Sequence, residues 1–124
     1  LTPSHHILVV DDHDDGESSV AALLAKRGFG VGEARDGEGA FEVMISGPEP
    51  SAVILDLMTP VRSAPELLYQ MQRSSRLSRI PVIVLVDHRL MPEFRGRLSV
   101  AHLYKPFDAE ALLATIERCI HVRH

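Results

Sequence analysis

Apolar positions follow two rhythms along the chain. Unbroken runs rich in Val, Ile and Leu stand at 7–10 (ILVV), 52–56 (AVILD) and 81–86 (PVIVLV), and between them apolar residues recur every three or four positions. An unbroken apolar run of this length, flanked by polar residues, predicts a strand buried on both faces. Weaker runs at 30–34 and 100–104 bring the strands to five. Val20, Leu23 and Leu24 mark a first helix that Gly28 can end, and Ala40, Phe41 and Met44 mark a second. Leu67, Leu68 and Met71 mark a third, and Asp108 can cap a last helix with an apolar stripe of Leu112, Leu113, Ile116 and Ile120. Strands alternating with helices predict an α/β fold: a doubly wound, five-stranded parallel sheet with helices on both faces. The stretch HRLMPEFRGRLS at 88–99 carries Pro92 and Gly96 in a weak pattern, so the fourth helix should be short or distorted. Residues 1–6 are expected to be a flexible N-terminal tail, 7–121 one domain, and 122–124 a C-terminal tail. GPEPS at 47–51 reads as a loop.

Composition narrows the classes. A chain of 124 residues, 45% hydrophobic, suits a single core. The formal net charge is −4 with Lys and Arg scattered, which excludes the basic footprint of a nucleic-acid binder. No apolar stretch approaches the roughly 20 residues of a membrane span, and no signal-peptide pattern opens the chain. With Cys119 the single cysteine, an internal disulfide is excluded, and the cytoplasm is the expected compartment. Cys119 lies near the last helix's stripe and should be at least half-buried. Glycines 28, 30, 32, 37 and 39 lack dinucleotide-binding spacing and read as turns. His5 and His6 read as polar tail, and His13 as a loop residue.

The strand ends carry the candidate chemistry. The first run ends on Asp11 and Asp12, the third on Asp56, and IPVIVLVD on Asp87. In a parallel sheet the carboxyl ends of the strands share one edge, where ligands bind. Asp11, Asp12 and Asp56 would repel one another there unless protonated or joined by a cation, and an all-oxygen donor set suits Mg²⁺. Lys105, kept out of the helical region by Pro106, supplies an opposite charge at the same edge. A carboxylate nucleophile, a hard cation and a fixed lysine suit phosphoryl transfer to Asp56.

Taken in order, ILVVDD, ARDGEGA, AVILDLMTP, IPVIVLV and YKPF resemble the receiver domain of two-component response regulators, from about Ile7 to Ile120. The resemblance implies a flavodoxin-like (CheY-like) fold. It further implies that Asp56 accepts a phosphoryl group from a histidine kinase or histidine phosphotransfer protein, with the domain itself catalysing the transfer. Asp12, Asp56 and the Met58 carbonyl would hold Mg²⁺, with Asp11 acting mainly through water, and Lys105 would pair with Asp56 and then with the phosphoryl group. An output domain or effector protein would read the signal.

The chain departs from the family pattern in its switch. Where the family places a Ser or Thr hydroxyl, this chain has Val86, and where it places a rotating Tyr or Phe, His102. Tyr104 is expected to face the other way from His102. Thr59-Pro60 replaces Met-Pro, and Ala64 a common Gly. Asp87 is either a solvated loop acid or a negative charge that disfavours a phosphoryl group. Two readings stay open: a phosphoacceptor with altered switch coupling, and a receiver-like interaction module that works without phosphorylation. A hydrolase using Asp56 on external phosphoesters is disfavoured, because no cap domain or substrate pocket is evident.

Overall fold

A computed structural model describes residues 5–11, 20–56, 63–86 and 100–122. Asp12, His13, Met58, Thr59, Pro60, Asp87 and the 88–99 stretch, with its expected helix, lie outside the described residues.

Five strands, β1 (His6–Asp11), β2 (Gly30–Ala34), β3 (Ala52–Asp56), β4 (Val82–Val86) and β5 (Val100–Tyr104), form one parallel sheet in the order β2-β1-β3-β4-β5. The described helices are α1 (Val20–Lys26), α2 (Gly37–Ser46), α3 (Ser63–Gln72) and α4 (Ala109–Val122), with a short 3₁₀ turn at Leu77–Arg79. Three strands match their expected ranges. β1 extends one residue beyond the apolar run at each end, and β4 starts after Pro81, whose carbonyl accepts from Val53 N–H at 3.0 Å. That arrangement suits proline, which can accept but not donate.

Alternation along the strands sorts the core into two layers. Leu8, Val10, Val53, Leu55, Val82, Val84 and Val86 pack under α2 and α3, and Ile7, Val9, Ile54, Ile83 and Leu85 pack under α1 and α4. Every residue of β3 and β4 is buried, as the apolar runs 52–55 and 82–86 require, and Asp56 is buried with them. Burying a large aliphatic side chain contributes about 1.5–3 kcal/mol, so the three central strands dominate the fold's stability. Leu67, Leu68 and Met71 are buried on α3, and Leu112, Ile116 and Ile120 on α4. Half-buried Cys119 packs against the α1/α4 layer, and desolvation raises its thiol pKa, with the Arg118 charge opposing.

Helix ends form as their residues dictate. Gly28 closes α1 at φ +94°: its N–H donates to the Ala25 carbonyl at 3.1 Å and Phe29 N–H donates to the Leu24 carbonyl at 3.2 Å. This is the paired-bond ending that a left-handed glycine permits, with Phe29 packed on the same layer as Leu24. Asp36 caps α2, accepting from Gly39 N–H, and Asp108 caps α4, accepting from Ala111 N–H, both at 2.8 Å.

Three expectations fail. Of the glycines read as turns, only Gly28 lies in one: Gly30 and Gly32 are in β2, and Gly37 and Gly39 are in α2. The β2 glycines make room for the His6 imidazole, since a Cβ on Gly32 would stand 3.3 Å from His6 Nε2 and one on Gly30 3.4 Å from Nδ1. His6 is therefore strand rather than tail, and His5 Nδ1 lies 3.2 Å from Ser51 Oγ. Tyr104 does not face away from His102 either. Residues two apart on a strand share a face, and the two rings stack with centroids 6.4 Å apart and planes 12° apart.

Candidate functional site

The sheet delivers its acids to one edge. β1 and β3 are neighbours with Asp11 in register with Asp56, so the two strand-end carboxylates start from backbones about 4.8 Å apart. Asp56 is buried, its side chain 6% exposed, whereas Asp11 is half-buried. Burial of an ionised carboxylate is costly unless a charge compensates it. Lys105 does so from the far side, with Nζ 2.6 Å from Asp56 Oδ1 and its side chain 27% exposed.

Backbone pairing aims that lysine. Past the end of β5, Lys105 N–H donates to the Val86 carbonyl at 2.8 Å, tying the residue to the end of β4. A cis peptide joins Lys105 to Pro106. Val86 is in register with Tyr104, and Val84 with His102. Val86 is 1% exposed among apolar neighbours, and Tyr104 is 54% exposed.

The Lys105 ammonium approaches Asp56 Oδ1 outside hydrogen-bonding angles. Among the described residues this buried oxygen is thus compensated by charge and not by a directed hydrogen bond. A carboxylate so placed, at the carboxyl end of β3 and in register with a second carboxylate, fits a hard divalent cation or an incoming phosphorus centre. No three His, Cys, Asp or Glu side chains cluster as a metal-binding group among the described residues. Asp11 and Asp56 are the described pair, while Asp12 and Met58 lie outside the described residues.

Of the sequence-predicted site residues, Asp11, Asp56 and Lys105 meet at the edge, and Val86 and His102 lie on neighbouring strands beside them. The backbone tie from Lys105 to Val86 was not foreseen, because register is invisible until the strands are paired. Also unforeseen is a groove of about 490 Å³ between α2 and α3, lined by Asp36, Glu38, Phe41, Glu42, Glu66, Leu67 and other residues. The i, i+4 spacing of Glu38 and Glu42 marks one wall in sequence, but nothing there says that α3 forms the other.

No described helix is long and apolar enough to cross a membrane. Residues 7–117 match the family model of the response regulator receiver domain. The sensor histidine kinase TmoS of Ectopseudomonas mendocina is 31% identical over 94% of this chain, and the regulatory protein DltR of Streptococcus agalactiae 31% over 89%. The chain spans 12% of TmoS and 49% of DltR. A sensor protein from Polaromonas sp. JS666 superimposes with a TM-score of 0.82 at 25% identity, covering 98% of this chain and 100% of its own. The receiver domain of the sensor histidine kinase PA1611 from Pseudomonas aeruginosa PAO1 was solved with magnesium in its active-site cleft. It superimposes at 0.76 with 21% identity, covering 96% of this chain and 99% of its own. The strand order, the paired acids and the matched residues converge: the chain belongs to the response regulator receiver domain family of two-component systems.

Proposed function

We propose that this receiver accepts a phosphoryl group on Asp56 from the phosphohistidine of a histidine kinase or histidine phosphotransfer protein. The observation that carries the reading is the buried Asp56 carboxylate in contact with Lys105 Nζ at 2.6 Å. An Asp56 carboxylate oxygen attacks phosphorus, the bond from phosphorus to the donor imidazole nitrogen breaks, and an acyl phosphate remains on Asp56. Lys105 then shifts from the carboxylate to the phosphoryl oxygens, holding positive charge where negative charge accumulates. Asp11, Asp12, Asp56 and the Met58 carbonyl would hold Mg²⁺, which when bound neutralises phosphoryl charge. Asp11 and Asp56, in register on adjacent strands, fit that part. Transfer from a kinase places the domain in the cytoplasm, where an output domain or effector protein reads its state.

The switch is the altered part. Val86 is buried among apolar side chains and offers the phosphoryl group no hydroxyl, so phosphorylation of Asp56 is coupled weakly to movement of β4 and β5. The same buried valine favours the second reading, an interaction module that needs no phosphate. Incubation with acetyl phosphate and Mg²⁺ followed by intact-mass measurement separates the two. Addition of one phosphoryl group, abolished in Asp56→Ala, supports the phosphoacceptor; an unmodified chain under conditions that label an ordinary receiver overturns it.

A further inference from the structure

β2 is an edge of the sheet: β1 pairs with it on one side and, among the described residues, nothing pairs with it on the other. Gly30 N–H donates to the His5 carbonyl, and amide directions alternate along a strand. Gly30, Gly32 and Ala34 therefore serve β1, while the N–H and C=O groups of Val31 and Glu33 point outward. Such an edge is usually blunted by lysine, proline or a bulge. β2 carries neither residue, and its register with β1 is unbroken. Toward α2 it presents only Gly30, Gly32 and Ala34, which leaves its backbone open to the close approach of another. Beside this bare face a Cβ on Gly39 would stand 3.8 Å from Ala34 Cβ, and one turn further along α2 Val43 is 40% exposed.

The charges along the edge choose its partner. Glu33 and Arg35 are exposed and stand two positions apart, so they share a face, and among the described residues neither is ion-paired. The backbone is still extended at Asp36, with φ −154° and ψ 179°. Antiparallel pairing of this edge with its own copy, about a two-fold axis at Ala34, sets Glu33 of each chain opposite Arg35 of the other. Glu33 alone would repel its image; Arg35 makes the edge its own complement.

We propose that β2 pairs with β2 of a second copy of this chain, joining the two sheets into one through backbone hydrogen bonds and two Glu33–Arg35 pairs. A five-residue edge buries less than the roughly 1,200–2,000 Å² of a stable interface, so the dimer forms reversibly and at high protein concentration. The inference is independent of phosphoryl transfer at Asp56.

Sedimentation velocity of the whole chain from micromolar to millimolar concentration, with amide chemical shifts followed over the same range, tests it. The expected result is reversible monomer–dimer exchange with concentration-dependent shifts centred on Val31, Glu33 and Arg35. Glu33→Arg alone and Arg35→Glu alone each set like charges opposite one another and should weaken dimerisation at least about tenfold. Both changes in one chain recreate the complementary pattern and should restore the affinity, which a purely structural role of either residue would not do. Glu33→Pro removes an outward N–H at an exposed position, leaves the bonds to β1 in place and should abolish the dimer, with thermal midpoints recorded for every variant. A chain that stays monomeric at millimolar concentration, whether or not its edge takes up an extended segment of another protein, overturns the proposal. Shifts centred elsewhere, single reversals that dimerise as the parent does, or a double reversal no tighter than the singles overturn it equally.

Discussion

At the residue scale, the Asp56–Lys105 pair carries the tightest constraint in the molecule. Removing the lysine leaves a carboxylate with 6% exposure beside Asp11 and without its cation. Breaking a fully buried pair costs about 3–5 kcal/mol, and the 27% exposure of Lys105 lets water recover part of that, so Lys105→Met should cost about 1–3 kcal/mol. Chemical denaturation gives the number, and Asp56→Asn in the same background should recover most of it. An unchanged midpoint in Lys105→Met would mean the pair contributes nothing to the fold. At Val86 the signs reverse between states. Val86→Thr places a hydroxyl in an apolar layer, costing about 1–3 kcal/mol in the unmodified protein where it finds no partner. With beryllofluoride and Mg²⁺ bound as a phosphoryl mimic, the hydroxyl gains an acceptor, so Val86→Thr should show a larger spectral response than the parent. An equal response would place the weak coupling elsewhere, in the segment between β4 and β5. The site acids and the lysine were legible in sequence because a carboxylate closing an apolar run, or a lysine before proline, announces a strand end. The facing of Tyr104 was misjudged although parity alone decides it: residues 102 and 104 share a face, and their rings stack.

Elements were legible where local chemistry sets them and obscure where a distant neighbour does. β3, apolar up to its closing Asp56, β4, apolar throughout, and the Asp108 cap needed nothing beyond their own residues. The glycines of β2 misled because their reason lies on another strand, where the His6 ring occupies the space a side chain would need. Gly28 is the opposite case, with a purely local reason. A Cβ there would meet nothing within 4 Å, so Gly28→Ala isolates the backbone cost of φ +94°. For an L-residue in the left-handed region that cost is about 1–2 kcal/mol. Gly28→Asn should lose less, because asparagine tolerates this conformation. Thermal unfolding of the three proteins should rank them Gly, Asn, Ala. The reverse order of Asn and Ala would show that α1 ends some other way in solution.

At the scale of the whole molecule, the parallel sheet brings to one edge acids that are 45 positions apart in sequence, and the fold must hold Asp11 and Asp56 together against their repulsion. On the proposed Mg²⁺ site, the pair ties cation binding to global stability. An unfolded chain separates the two carboxylates and binds Mg²⁺ far more weakly, so a cation held between them stabilises the native state by RT ln(1 + [L]/Kd), about 1.4 kcal/mol at tenfold Kd. For a domain of this size that corresponds to roughly 3–6 °C in the thermal midpoint. The midpoint should rise with Mg²⁺ along a saturating curve and fall back when EDTA is added. Asp56→Asn removes one proposed ligand, and with it both the repulsion from Asp11 and the pair with Lys105, so its signature is the loss of most of the Mg²⁺ response rather than the direction in which the metal-free midpoint moves. A midpoint that climbs equally in parent and variant would indicate general screening of the net −4 charge rather than a cation at this edge. Substituting KCl at matched ionic strength separates the two, because screening follows ionic strength and a site follows the ion.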